Sequence, residues 1–196
     1  KINGLDREVV GNIFPKVTGG FSSTLSWKGI SLYARFDYAL GHTLYNDLAA
    51  RTLGQYQGAF NIITEVKDMW SEDNPNSDLP AFYYADQLAK KNITRSNNAS
   101  ASRHNNSSRL YEKADYLALR ELTLSWDLPK AWTSKAFIQN ASVYVTGQNL
   151  FYVTGYTGTS PEPVLTNSDN NENLYGVDQG RYPTPRTVLF GLSVTF

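Results

Sequence analysis

The chain has 196 residues, enough for one domain with a sizeable core, and its 18 basic and 18 acidic residues cancel, so no charged field marks it for nucleic acid or an anionic surface. The absence of cysteine excludes disulfides and thiolate metal sites. No apolar run approaches the length of a transmembrane helix, yet 13 Tyr, 9 Phe and 4 Trp accompany a negative mean hydropathy, so aromatics interleave with polar residues.

The opening "KINGLDREVVG" starts in mid-pattern with no signal peptide, and it is expected to continue a longer chain. Next, "GFSSTLSWKGISLYARFDYAL" reads as a hairpin turning on Lys28-Gly29, with glycine supplying positive φ. That turn sets the register: Trp27 faces Ile30, Leu25 faces Leu32, Ser23 faces Ala34 and Phe21 faces Phe36 on an apolar side. Ser26 with Ser31, Thr24 with Tyr33 and Ser22 with Arg35 form a polar side, and Asp37 lies one step beyond. A long connection then runs from about Gly41 to Asp115. It is expected to hold a short helix, because Ile62, Val66, Met69 and Trp70 share one face of "NIITEVKDMW" before Asn74-Pro75 stops it. The tract "SNNASASRHNNSS" is low-complexity and polar.

"ELTLSWDLP" puts Leu122, Leu124, Trp126 and Leu128 on one face, and "ASVYVTGQNLFYV" does the same with Val143, Val145, Phe151 and Val153. The apolar parity slips between Leu119 and Leu122, which predicts a bulge near Arg120-Glu121 or an exit from the apolar zone. Asn149 falls on the apolar parity without a reason in the pattern. A second long connection, Gly155 to Arg186, precedes the closing strand "TVLFGLSVTF", which carries Val188, Phe190, Leu192, Val194 and Phe196 in one apolar row to the final residue.

Alternation alone fits both a β-sandwich and a lipid-embedded barrel. Three features favour the barrel. Trp27, Trp126 and Phe196 mark the short-turn ends and Phe36, Tyr38, Phe151 and Tyr152 the other rim, as interfacial girdles would. The long connections fall on one side only, and the last strand ends on the short-turn side.

The segments "DREVVGNIFPKVTGGFSSTLSWKGISL", "DMWSEDNPNSDLP", "YLALRELTLSWDLPKAW", "VYVTGQNLFYVTGYTGTSPE" and "GVDQGRYPTPRTVLFGLSVTF" closely resemble the C-terminal part of SusC/RagA-family TonB-dependent outer-membrane transporters of the Bacteroidetes. The resemblance spans nearly the whole chain. It implies an all-β fold: the last strands of a 22-stranded antiparallel transmembrane barrel with long extracellular loops, closed around an N-terminal plug that lies outside this sequence. Residues 1–20 would then end an extracellular loop and 21–40 form a transmembrane hairpin. Residues 41–115 would be a long extracellular loop with a short helix, and 116–153 two transmembrane strands joined by a periplasmic turn. Residues 154–186 would form another extracellular loop and 187–196 the closing strand. The implied work is import of oligosaccharides or peptides captured under a SusD-like surface lipoprotein, with energy from TonB through the plug. Phe190 and Phe196 would belong to the signal read by the barrel-assembly machinery. Lumen-facing Tyr33, Arg35 and Asp37 would contact cargo, the ring stacking on a sugar and the charges bonding hydroxyls or peptide. The alternative for the two charges is that they pair with each other or with the plug. Family members often carry an acidic D-x-N-x-D-G loop before "KIN…D", which would make Lys1 a carbonyl donor and Asp6 the last carboxylate of a structural Ca²⁺ site. The ordinary alternative is a turn aspartate capping its own backbone.

No catalytic constellation is present. His42 and His104 lack metal-ligand spacing, "GGFSST" has no lysine to make a phosphate loop, and Glu72-Asp73 and Glu162 read as solvated loop carboxylates. The N-x-S/T triplets at Asn92, Asn98, Asn106 and Asn140 read as chance products of Asn- and Ser-rich loops. The expectation is an importer and not an enzyme, without nucleic-acid partners. A soluble β-sandwich carbohydrate-binding module and a plug-free porin stand as alternatives.

Overall fold

Lys28 and Gly29 both take positive φ, 49° and 83°, as a two-residue type I′ connection requires. They join β1 (Val17–Trp27) to β2 (Ile30–Leu40) in the register the alternation predicts, Trp27 opposite Ile30 through Phe21 opposite Phe36. The computed structural model describes residues 8–53, 61, 63–79, 108–163 and 175–196. Two units make up the chain: one from Pro15–Gly41, Ala114–Gly155 and Tyr182–Phe196, the other from Lys1–Phe14, His42–Lys113 and Tyr156–Arg181.

The first unit is a five-stranded antiparallel sheet. Its remaining strands are β5 (Tyr116–Asp127), β6 (Asn140–Thr154) and β8 (Thr187–Thr195), in the order β1-β2-β5-β6-β8. Every strand thus pairs with its sequence neighbour in the sheet, an up-and-down meander. The registers align apolar rows across it: Trp27, Ile30, Trp126, Val143 and Leu192 nearest the short turns, then Leu25, Leu32, Leu124, Val145 and Phe190. Further along, Phe21 stacks on Phe36 with ring centroids 4.9 Å apart. The first strand begins at Val17 and not at 21. Gly19 and Gly20, within the expected loop of residues 1–20, serve pairing here: a Cβ on Gly19 would lie 2.6 Å from the Tyr38 hydroxyl, so the glycine seats that ring.

A sandwich would bury these rows. Instead Leu25, Leu32 and Leu124 are 67%, 37% and 46% exposed, Phe190 more so, and Val194 is only half-buried. The apolar face therefore has no second layer among the described residues, and the sandwich reading is set aside. No helix among them is long and apolar enough to cross a membrane, which says nothing of strands.

The long connections hold a second sheet that alternation did not predict. In it β3 (Thr43–Asn46) pairs antiparallel with β4 (Tyr111–Lys113) and parallel with β7 (Val177–Asp178). Helix α1 (Asp47–Thr52) follows β3. Asn46 Oδ1 caps it by accepting from the Ala49 amide at 2.9 Å, and Asp47 pairs with Arg51 at 2.8 Å. Tyr45, Ala50 and Leu110 form its small core. The expected helix at "NIITEVKDMW" is a 3-10 turn, Thr64–Asp68. Val66 is buried, but Met69 is extended and Trp70 bonds Leu79 through its backbone instead of continuing the helical face. Ile62 lies outside the described residues.

Candidate functional site

The polar face of the five-stranded sheet carries Tyr33, Arg35 and Asp37 at alternate positions of β2, opposite Thr123, Glu121 and Ala118 of β5. The expected bulge is present: Arg35 pairs with Glu121 and Phe36 with Leu119, leaving Arg120 as the extra residue. Arg120 and Glu121 both escape the apolar row, which explains the parity slip. The Arg120 guanidinium donates from Nε to Asp37 Oδ2 at 2.6 Å and from Nη1 to the Tyr152 hydroxyl at 2.9 Å, with Asn149 Oδ1 at 3.5 Å. It also lies 5.4 Å from the Tyr152 ring centroid, and Tyr116 meets that ring edge-on at 5.7 Å.

β6 answers the bulge with its own irregularity, since Gln148 pairs with Glu121 and Phe151 with Leu119. Asn149 sits there at φ 52°, a left-handed conformation that asparagine tolerates better than most residues. Its amide donates to the Pro185 carbonyl at 3.4 Å. That accounts for a polar residue on the apolar parity: the irregularity turns Asn149 toward Arg120. Tyr152, expected in an outer aromatic rim, likewise faces the polar side. An assumed unbroken ladder hid the turn of Asn149, whereas Tyr152 stands on the face that alternation with Phe151 and Val153 gives it.

Asp37 is therefore held by Arg120 and not by Arg35, which is exposed. Tyr33 is half-buried on the same face. The structure brings the three expected residues onto one face, and it adds Arg120, Tyr152 and Asn149, which the sequence reading left out. Phe190 and Phe196 stand exposed on or beside β8. Asp6 with its calcium-like loop, His104, Asn92, Asn98 and Asn106 lie outside the described residues.

The second unit has its own polar centre. Asp178, fully buried, accepts from the Tyr156 hydroxyl at 2.9 Å, the Thr159 amide at 3.2 Å and hydroxyl at 3.1 Å, and the Gly180 amide at 3.0 Å. Burial pushes its carboxyl up, but these donors and the Arg181 amide outweigh burial and hold it below the usual carboxylate range. Burial, and then the Asp178 charge, raise the Tyr156 phenol. Glu112 accepts from the Thr157 amide at 2.9 Å and hydroxyl at 2.8 Å, and His42 Nε2 meets the Pro161 carbonyl at 2.8 Å. Together they pin "YTGTSP". An open cavity of about 800 Å³ nearby in the same unit is lined by Glu65, Asp68, Asp78, Arg109 and Glu112 among others. Among the described residues no three His, Cys, Asp or Glu side chains gather as a metal site.

No protein-family model matches the chain. It is 31% identical over its full length to TonB-dependent receptor P3 of Formosa agariphila, and 30% identical over 97% of its length to TonB-dependent receptor P26 of the same organism. Among solved structures it superposes on the RagAB peptide transporter with a TM-score of 0.70 at 28% identity, covering 96% of this chain. The RagAB peptide importer in its closed-closed state gives 0.69 at 27%. The chain is homologous to TonB-dependent receptors of the SusC/RagA type. It spans 18% of the length of these relatives. The antiparallel sheet of this chain matches their β-structure, and the relatives are named as receptors and transporters, not enzymes.

Proposed function

We propose that this receptor segment forms part of the wall and outer loops of an outer-membrane, TonB-dependent importer, as one stretch of a 22-stranded barrel near its C-terminal end. A single observation carries the reading: the sheet presents aligned, exposed apolar rows on one face and a hydrogen-bonded polar network on the other. A sheet in water on both sides would pay heavily for the first, whereas lipid outside and an aqueous lumen inside favour both. Peptides or oligosaccharides are the cargo class, and a SusD-like lipoprotein is the partner over the loops. TonB acts through the plug, and the assembly machinery reads Phe190 and Phe196. On the lumen face Tyr33 and Arg35 are the cargo contacts, while Asp37 is a wall residue held by Arg120.

The test uses the intact receptor. It should require detergent for extraction and run as a heat-modifiable band. Extraction without detergent overturns the reading. A Tyr33→Ala, Arg35→Ala variant that folds normally should take up cargo more slowly, and uptake at the wild-type rate removes both from the cargo path.

A further inference from the structure

The connection between β5 and β6 is more than a tight turn. After Pro129 comes one helical turn, α2 (Lys130–Thr133), then a 3-10 turn (Ser134–Ala136) that Phe137 ends at φ 59°. Its backbone is well tied. Thr133 is buried, the Ile138 amide bonds the Thr133 carbonyl at 3.1 Å, and Gln139 bonds the Thr195 carbonyl of β8 at 2.8 Å. On this fixed frame two large aromatics stand out of the protein: Trp132 is 60% exposed and Phe137 92%. A bulky aromatic held into solvent is unfavourable unless something outside the chain covers it, and the left-handed backbone of Phe137 adds a strain of its own.

We infer that this connection is a foot that rests in the headgroup layer of a phospholipid leaflet, with Trp132 and Phe137 inserted at the glycerol level and Lys130 and Lys135 against phosphate oxygens. The inference rests on the reading of the sheet's apolar face as lipid-facing. Continuity selects lipid as the occupant: Trp132 meets Trp126 edge-on at 5.9 Å, and Trp126 belongs to the apolar row nearest the short turns. Charge agrees, since Lys130 and Lys135 are both exposed on this connection. Asp127, at the end of β5, is the acidic side chain beside them. The neighbouring turn repeats the pairing of amine and indole, with Lys28 Nζ 4.7 Å over the Trp27 ring. An amine beside an indole at the end of a lipid-facing strand is the chemistry of a bilayer interface.

The experiment uses the intact receptor in nanodiscs of phosphatidylethanolamine and phosphatidylglycerol, with no other protein present. Nitroxides are attached at Phe137→Cys, Leu192→Cys and Ser193→Cys, and collision with oxygen is compared with collision with a water-soluble nickel chelate. Leu192 lies in an apolar row and Ser193 on the opposite face, so they report the lipid-facing reading itself. The foot predicts that the label at 137 favours oxygen, as that at 192 does, and that K130E/K135E lowers this preference. A label at 137 that favours nickel while 192 favours oxygen overturns the foot and leaves the wall intact. Capture of the patch by a protein partner gives that same result in these discs. Nickel preference at both 137 and 192 overturns the wall as well. Trp132→Cys, expected to favour oxygen, supplies the same decision should the 137 variant fail to fold.

Discussion

Arg120→Ala should loosen the centre of the sheet by a calculable amount. The Arg120 side chain is 14% exposed and that of its partner Asp37 38%. Breaking a fully buried pair costs about 3–5 kcal/mol, while a charged hydrogen bond contributes about 1.5–3. Asp37 is more than a third exposed and water rescues part of its charge, so the lower range applies. Loss of the 2.9 Å bond to Tyr152 adds up to about 1 kcal/mol. A local cost of about 2 kcal/mol follows, which raises the population of the opened state about thirtyfold. Hydrogen exchange read by mass spectrometry on the intact protein should show that acceleration in peptides covering 116–127 and 143–154. It should be smaller in Arg120→Lys, which keeps the charge but not the fork. Exchange within about threefold of wild type in Arg120→Ala would refute the reasoning, because the network would then contribute too little to hold the bulge.

Asn149→Gly should leave that exchange nearly unchanged, whereas Asn149→Ala should accelerate it by about fivefold, since the left-handed backbone costs alanine about 1 kcal/mol more. Gly191→Val should lower the yield of folded protein, because a side chain there collides with the Tyr144 ring, and Tyr144→Ala should restore it. Asp178 titrates lower in the folded loop unit than in the unfolded chain, so its contribution is fully present above the unfolded value of about 3.9 and is lost as pH falls through the still lower folded value. Limited proteolysis of "YTGTSP" should accordingly be flat from neutral pH to about pH 5 and rise in stronger acid. Tyr156→Phe should cost about 1 kcal/mol and make the same loop easier to cut at pH 7.

The meander was legible because period-two patterning and a two-residue turn act over a few neighbouring residues. Once Lys28-Gly29 is assigned, every pair of the hairpin follows. The bulge at Arg120 was legible for the same reason, as a break in parity. What the bulge does was not legible, because Asp37, Arg120, Tyr152 and Asn149 come from three strands whose mutual register depends on the bulge itself. The small sheet was hidden for a different reason. β7 spans only Val177–Asp178 and pairs with Tyr45 and Asn46, far away in sequence, so no periodicity has room to appear. Asn46-Asp47 did announce α1 through an asparagine cap and an acidic first turn, a signal that apolar periodicity does not carry.

Among the described residues β1 pairs only with β2 and β8 only with β6, so both flanks of the sheet offer open backbone donors and acceptors beside bare aromatics. Produced alone in aqueous buffer, this stretch would join its own copies flank to flank and deposit as fibrous aggregate. Covering those two flanks would matter to its solubility as much as any single side chain.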